Sequence, residues 1–287
     1  MDKIKGITWK AYNKAIENDI EKEQIEVNLK QIGINKIFIF NTLKGDKGLS
    51  RQLRVFKFRE PLNWETYYHY VKRSDKVMDI GANIGLFSIL SKKAKSLICI
   101  EPIECCIPLL EKNIKDNDIK ATIINKAIGK NIKMKIDEQI NLSHVSNDGI
   151  PIESLTLKEA CKLYDSNLLR MDVEGYEYDI FKEGIPNTIN KICLEFHTTI
   201  LGKKKTLELL SIFEKNGFNI DYMLEDLPLR LYPYYKFLKY TKLIKLITYK
   251  KKNISFNRAK DLIFKGRNLK YFLISRNKYG FDSRSVV

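Results

Sequence analysis

Asp79-Ile80-Gly81-Ala82-Asn83-Ile84-Gly85 is the stretch whose reading decides the fold. It follows the apolar pair Val77-Met78 and precedes Leu86-Phe87-Ser88-Ile89-Leu90, which reads as a strand, a tight glycine turn and a helix start. Glycine at such a turn lets the backbone approach a ligand where a Cβ would clash. The helix that follows aims its first N–H groups at the same place. Next comes Ser96-Leu97-Ile98-Cys99-Ile100-Glu101-Pro102, a second strand that ends in an acid sixteen residues after Gly85. An acid there can accept hydrogen bonds from both hydroxyls of a ribose. Together these features describe a nucleoside-cofactor site.

The turn differs from the nicotinamide fingerprint G-x-G-x-x-G, because Asn83 stands where the middle glycine brings backbone onto a pyrophosphate. A G-x-x-x-x-G-K-[ST] phosphate loop does not occur. A second constellation lies downstream. Leu168-Leu169-Arg170-Met171-Asp172-Val173-Glu174-Gly175-Tyr176-Glu177 reads as a buried strand running into acids, a glycine and a helix. Lys191-Ile192-Cys193-Leu194-Glu195-Phe196-His197 reads as another strand, ending in a histidine.

At this point the chain resembles the FkbM-type S-adenosylmethionine (AdoMet) methyltransferases. The resemblance is carried by Asp79–Gly85, Glu101-Pro102, Asp172-Val173-Glu174-Gly175-Tyr176-Glu177 and Glu195-Phe196-His197, in order and spacing. Asn113 and Asn117, the Asn125-Lys126-Ala127-Ile128-Gly129 segment and Ser154-Leu155-Thr156-Leu157 add to it. It covers roughly residues 59 to 223, and the Asp172–Glu177 segment is its most specific part. It implies a class I α/β fold, a Rossmann-like seven-stranded sheet with helices on both faces and an antiparallel last strand. It implies AdoMet as cofactor, with Asp79, Gly81, Ala82, Asn83, Gly85, Glu101, Pro102, Asn125 and Ala127 at its site. His144 and Ser143 fall in a region that approaches the acceptor in that family.

Composition bounds the remaining choices. The 287 residues suffice for one large α/β domain with additions, and a hydrophobic content of 44% supports a core. No apolar run approaches the roughly 18 residues of a membrane span, and the N-terminus lacks an apolar signal core. The five cysteines, Cys99, Cys105, Cys106, Cys161 and Cys193, are odd in number and lack C-x-x-C spacing. They read as free thiols in a reducing compartment, hence cytoplasmic, with a peripheral location at the inner membrane surface as the extension of that reading.

Four segments are expected: an N-terminal extension of helix and hairpin (1–74), an AdoMet-binding core (75–226), a basic aromatic insertion (227–268), and the last strand with a tail (269–287). In the extension, a helix is expected over 11–29 and a hairpin from 36–40 and 52–58. The net charge is +16, and twelve Lys or Arg against the single acid Asp261 fall between Leu227 and Asn268. Residues 232–249 carry lysines at 236, 239, 242 and 245 among Phe237, Tyr240, Leu243, Ile244 and Ile247. As one helix this segment is amphipathic and suits an anionic membrane surface through 232–252. An acidic polymer or nucleic acid, and a plain solvated helix, are the competing readings. Ligands of open α/β sheets bind beyond the carboxyl ends of the strands, so an insertion before the antiparallel strand is expected to overhang the cofactor cleft.

For chemistry, His197 at a strand end is the candidate general base for a hydroxyl acceptor, and a strand-end cap is the bland alternative. Asp172 and Glu174 are expected to act as a base, bind acceptor hydroxyls or hold a divalent metal, and no metal site is assigned. Glu174 as a cap of the next helix is the alternative there. The leading function is an AdoMet-dependent O-methyltransferase acting on a carbohydrate, glycolipid or related small acceptor. A ribose 2′-O methyltransferase of RNA and a non-catalytic membrane- or polymer-binding protein with a vestigial pocket are the alternatives. Oligomeric state is not legible.

Overall fold

The computed structural model describes residues 2–130, 134–137, 144–145, 150–264 and 271–276. The N-terminal part holds α1 (Asp2–Glu17), β1 (Gln24–Asn28), β2 (Ile37–Asn41), α2 (Leu49–Phe56) and α3 (Pro61–Tyr70). Strand and helix then alternate through β3 (Lys76–Ile80), α4 (Leu86–Leu90), β4 (Ser96–Ile100), α5 (Ile107–Asp116) and β5 (Thr122–Ile124). Five short strands follow: β6 (Ala127–Ile128), β7 (Met134–Asp137), β8 (His144–Val145), β9 (Ile150–Ile152) and β10 (Ser154–Leu155). The chain continues as α6 (Leu157–Tyr164), β11 (Leu168–Met171), α7 (Glu177–Phe181), β12 (Lys191–Glu195), α8 (Thr198–Lys215) and β13 (Phe218–Glu225). Then come α9 (Tyr235–Leu238), α10 (Leu243–Ile247), β14 (Tyr249–Ile254), α11 (Phe256–Phe264) and β15 (Tyr271–Arg276).

The main sheet has eight strands in the order β14-β13-β15-β12-β11-β3-β4-β5. Strands β5, β4, β3, β11 and β12 are parallel. β15 lies antiparallel between β12 and β13. This is the expected Rossmann-like α/β sheet with its antiparallel last strand, and it carries one strand more than expected. The addition is β14, antiparallel to β13 at the sheet edge and drawn from the basic insertion.

The central strands are apolar on both faces because both faces are covered. Val77, Leu97, Cys99, Leu168 and Cys193 pack on one side with Trp64, Phe87 and Leu110. Met78, Ile98, Leu169, Ile192 and Leu194 alternate to the other side with Phe181, Leu209 and Phe213. Wherever strand side chains alternate, the period of two assigns each residue to a face.

The N-terminal part departs from the expected boundaries. Its helix is 2–17, and its hairpin pairs β1 with β2, Gln24 opposite Asn41. Residues 49–56 form a helix although Leu53-Arg54-Val55-Phe56-Lys57-Phe58 alternates like a strand. Leu49 and Leu53, four apart, are both buried, and Asp46 accepts from Gly48 N and Ser50 N, each at 2.7 Å, at the helix start. Tertiary burial and the Asp46 turn that leads into the helix override the local pattern.

Two asparagines of α5 attach this part to the core. Asn113 Oδ1 accepts from Asn41 N (2.6 Å), and Asn117 exchanges two bonds with Ile39, at 2.9 and 2.6 Å. They satisfy the free edge of β2, which would otherwise bury unpaired backbone groups. The insertion also grips this part: Tyr232 packs on Phe56 and Phe58, and its hydroxyl accepts from Glu60 N at 2.9 Å.

The insertion is not one amphipathic helix. It is a 3-10 turn (Leu229–Tyr234), two helices of four and five residues, the edge strand β14 and the helix α11. Pro233 and the turn around Thr241 break the helical run. Lys250, Lys251 and Lys252 sit on the edge strand, two of them over the Tyr222 ring at 5.4 Å. Lysine on an edge strand discourages pairing with another chain, which gives part of the basic charge a structural account.

Candidate active site

A cleft of about 1090 Å3, counted out to its open mouth, lies at the carboxyl ends of β3, β4, β11 and β12. One wall is the glycine turn. Gly81 has φ +75°, and a Cβ there would stand 1.9 Å from the Asp172 carbonyl oxygen. No side chain can occupy that position while the two strand ends remain as close. Gly81 N and Ala82 N both donate to Ile100 O, at 2.9 and 3.1 Å, which ties the turn to β4.

Glu101, at the end of β4, is almost completely buried. Its carboxylate accepts from Asn83 N (2.6 Å) and Ile103 N (2.8 Å). Burial pushes its pKa up to about 7, the two backbone donors opposing the rise and the charges of Asp79 and Asp172 adding to it. Each carboxylate oxygen keeps a second acceptor site, so a ribose hydroxyl has a place to donate. The glycine cradle and this carboxylate fit the nucleoside end of AdoMet.

Six of the residues expected at the cofactor line the cleft: Gly81, Ala82, Asn83, Glu101, Pro102 and Ala127. Three brace it instead. Asp79 is wholly buried, accepting from Ser88 Oγ (2.6 Å) and from Arg170 (3.4 Å). Gly85 makes room for Leu110, whose Cδ1 would lie 2.7 Å from an added Cβ. Asn125 Nδ2 donates to the carbonyls of Glu101 (2.9 Å) and Pro102 (3.1 Å).

The opposite wall is ionisable. Asp172, Glu174 and Glu195 line it, with Arg59 and Glu60 from the N-terminal part. His197 stands behind the acids. Its Nδ1 meets Glu177 Oε1 at 2.5 Å, and its Nε2 meets Glu174 Oε2 at 3.2 Å. Nε2 also lies 3.8 Å from Asp172 Oδ1 and 3.9 Å from Glu195 Oε1. Burial acts to lower the His197 pKa, but its bonds to Glu174 and Glu177 and the charge of Asp172 outweigh it and push it up to about 11. Both ring nitrogens of His197 thus face carboxylates, which orient the imidazole at the end of β12.

Burial pushes the Asp172 carboxyl up, but Arg170, His197 and Arg59 outweigh it and hold it below the usual range. Glu195 moves the other way: burial, then the charges of Asp172 and Glu60, push it well above the ordinary value. Glu174 has φ +46°, and Gly175 follows at +95°, where a Cβ would meet Ile200 Cγ2 at 2.4 Å. The helix that follows starts at Glu177, and Glu177 itself accepts from Gly175 N (3.1 Å), so Glu174 is free of the capping role. His144 stands on β8, paired with Asp137 of β7; Ser143 lies outside the described residues.

Arg170 joins the two walls. Its Nη1 donates to Gly81 O (3.0 Å) and Asp79 Oδ1 (3.4 Å), and its Nη2 to Asp172 Oδ2 (3.1 Å). Its guanidinium covers the Phe87 ring at 4.1 Å. The sequence signal was a single arginine in an otherwise apolar buried strand. Glu177 and Glu195 were visible as motif letters, without any sign that both face His197. Leu49, Arg59 and Glu60 carried no local signal, because they reach the cleft through the packing of the N-terminal part. No described residue of 227–268 lines the cleft, contrary to the expected overhang. That segment borders a second groove instead, with Lys30, Glu65, Lys239 and Lys245.

No helix among the described residues is long and apolar enough to cross a membrane. All five cysteines are free thiols, four of them buried.

The chain is similar to several solved structures at low identity. A protein of the NADB-Rossmann superfamily from Streptococcus agalactiae aligns with TM-score 0.40 at 10% identity, over 76% of this chain and 69% of that one. A precorrin-6y methyltransferase from Geobacter metallireducens gives TM-score 0.39 at 10% identity, over 82% and 92%. A tRNA methyltransferase from M. jannaschii gives 0.36 at 16% identity, over 66% and 46%. Likeness of this size says nothing about the acceptor. No curated protein matches the sequence. The family model described as the methyltransferase FkbM domain matches residues 79–220, from the glycine turn to β13. Over residues 79–220 the chain thus carries a methyltransferase FkbM domain, which makes it an AdoMet-dependent methyltransferase.

Proposed function

We propose that this methyltransferase acts on a hydroxyl of a carbohydrate, glycolipid or related small acceptor, with AdoMet held between the glycine turn and Glu101. When bound, AdoMet supplies a methyl group already activated on a sulfonium. What remains for the chain's own residues is to orient an acceptor oxygen and take up its proton. Asp172 is suited to both, since its carboxyl is held below the usual range and it lines the cleft beside the glycine turn. This ionised carboxylate in the lining, next to the cofactor turn, is the observation that carries the reading.

The wall's lining supports a polyhydroxyl acceptor. Glu60, Asp172, Glu174 and Glu195 offer oxygen acceptors to its hydroxyl groups. The basic charge lies elsewhere, around the second groove and β14. Beside it Phe237, Tyr240, Leu243 and Leu246 are exposed, Tyr240 at 82% and Leu246 at 79%. Exposed apolar side chains among lysines suit the headgroup layer of an anionic membrane, which would bring the enzyme to a lipid-linked acceptor.

The test is transfer of labelled methyl from AdoMet to glycan, lipid-linked glycan and RNA fractions. The expected result is an alkali-stable methyl ether in a glycan or glycolipid. Label confined to RNA, or none in any fraction by a protein that binds AdoMet, would overturn the reading.

A further inference from the structure

We propose that Asp172, Glu195 and His197 form a divalent-cation site at the acceptor end of the cleft, with Glu174 at its rim. One ligand atom from each of the three residues lies within 4.8 Å of the other two. His197 Nε2 is 3.8 Å from Asp172 Oδ1 and 3.9 Å from Glu195 Oε1. Donors that each sit about 2.0–2.2 Å from one ion stand roughly 3–4.4 Å apart. The three atoms need small adjustments to share one, and Nε2 exchanges its contact with Glu174 Oε2 at 3.2 Å for the ion.

Two further observations separate this cluster from an ordinary group of acids. Asp172 Oδ1, one of the three donors, is buried beside His197 Nε2, and the Asp172 carboxylate is within hydrogen-bonding reach of the Glu195 carboxyl, so the three side chains already converge. His197 is aimed by a second carboxylate: wholly buried Glu177 holds Nδ1 at 2.5 Å and is itself fixed by Gly175 N at 3.1 Å. A ligand histidine commonly has its other ring nitrogen bonded to a carboxylate, which fixes the tautomer and turns the free nitrogen to the ion. Glu177 would thus be a positioning residue and not a ligand.

Two carboxylates with one imidazole suit a cation of the Mn2+ or Mg2+ kind better than a thiolate-seeking metal. Asp172, Glu174 and Glu195 all line the cleft across from Gly81. An ion there would meet the acceptor hydroxyl directly and lower its pKa, a role that rests on the function proposed above. The site itself does not rest on it. The rival occupant of this position is a proton on Nε2.

Mn2+ titration of the full-length chain, followed by electron paramagnetic resonance and calorimetry, tests the site without any acceptor. One Mn2+ per chain is expected, with a nitrogen coupling that disappears in His197→Gln. Glu195→Gln and His197→Gln should each weaken Mn2+ binding at least about tenfold, and Glu177→Gln about 10- to 100-fold. AdoMet affinity, measured on the same samples, should change little and so reports folding. No Mn2+ binding by the wild type at about 1 mM, the weak end of protein divalent sites, would overturn the proposal. So would variants that bind Mn2+ as the wild type does. If AdoMet itself fails to bind the wild type, the function proposed above fails, whatever Mn2+ does.

Discussion

At the carboxyl ends of β3 and β4 the cleft is shaped by main chain: a glycine at φ +75° against a carbonyl, and a carboxylate receiving two backbone N–H groups. At the ends of β11 and β12 it is shaped by side-chain charge, with Asp172, Glu174, Glu177 and Glu195 around a single imidazole. The first wall is rigid because altering it means moving backbone. The second is held by opposed charges, and its state depends on what joins them. Under the function proposed above, this difference divides the labour of methyl transfer: one wall would fix the cofactor, and the other would meet the acceptor and its proton. Arg170 binds the two walls, touching Gly81 O on one side and Asp172 on the other.

Cutting that link is expected to have the largest effect. Arg170→Met leaves Asp79 buried with a charge and without its guanidinium, and breaking a buried pair this way costs about 3–5 kcal/mol. Chemical denaturation measures it; a loss below about 1 kcal/mol, the size of an exposed pair, would mean the walls are independent. Gly81→Ala attacks the main-chain wall alone. The positive φ costs about 1–3 kcal/mol, and the added Cβ meets Asp172 O. AdoMet binding should fall below detection in calorimetry, while Mn2+ binding weakens less.

Glu101→Gln sharpens the comparison, because it removes charge and leaves shape. A hydrogen bond to a charged group is worth about 1.5–3 kcal/mol, so AdoMet affinity should drop roughly 10- to 100-fold. The wild type should show a matching pH dependence. With the Glu101 pKa near 7, the charged acceptor is lost as pH falls below 7, and affinity should decline by up to about tenfold per unit. Stability of the ligand-free protein moves in the opposite sense. The folded pKa lies above the ordinary value of 4.5, so this group's contribution is full below 4.5 and is lost as pH rises through 7. Glu101→Gln should flatten both profiles. The smallest effect on the fold is expected from Tyr240→Ser combined with Leu246→Ser, within about 0.5 kcal/mol. Binding to vesicles rich in anionic lipid should nevertheless fall; unchanged binding would remove that patch as a membrane contact.

Much of the core was legible because parallel strands buried on both faces leave continuous apolar runs, as in Val77–Ile80 and Leu97–Ile100. The glycine turn was legible for a related reason: a backbone at positive φ restricts the residue type at its own position. The N-terminal part was misread where environment outweighed pattern. Residues 52–58 alternate like a strand, yet Leu49 and Leu53 are buried in a helix that follows the turn held by Asp46. The insertion misled in the same way, since helical spacing of lysines does not reveal that Lys250–Lys252 will close a sheet edge.

Sequence alone determined the alternation of strands and helices, the turn at Gly81–Gly85 and the acid at Glu101, because each leaves its mark within a few neighbouring residues. Only the tertiary structure decided what Arg170, Glu177, Glu195 and His197 do together. Charges gathered from separate strands and helices set one another's protonation through space, and that coupling depends on distances that no local spacing encodes.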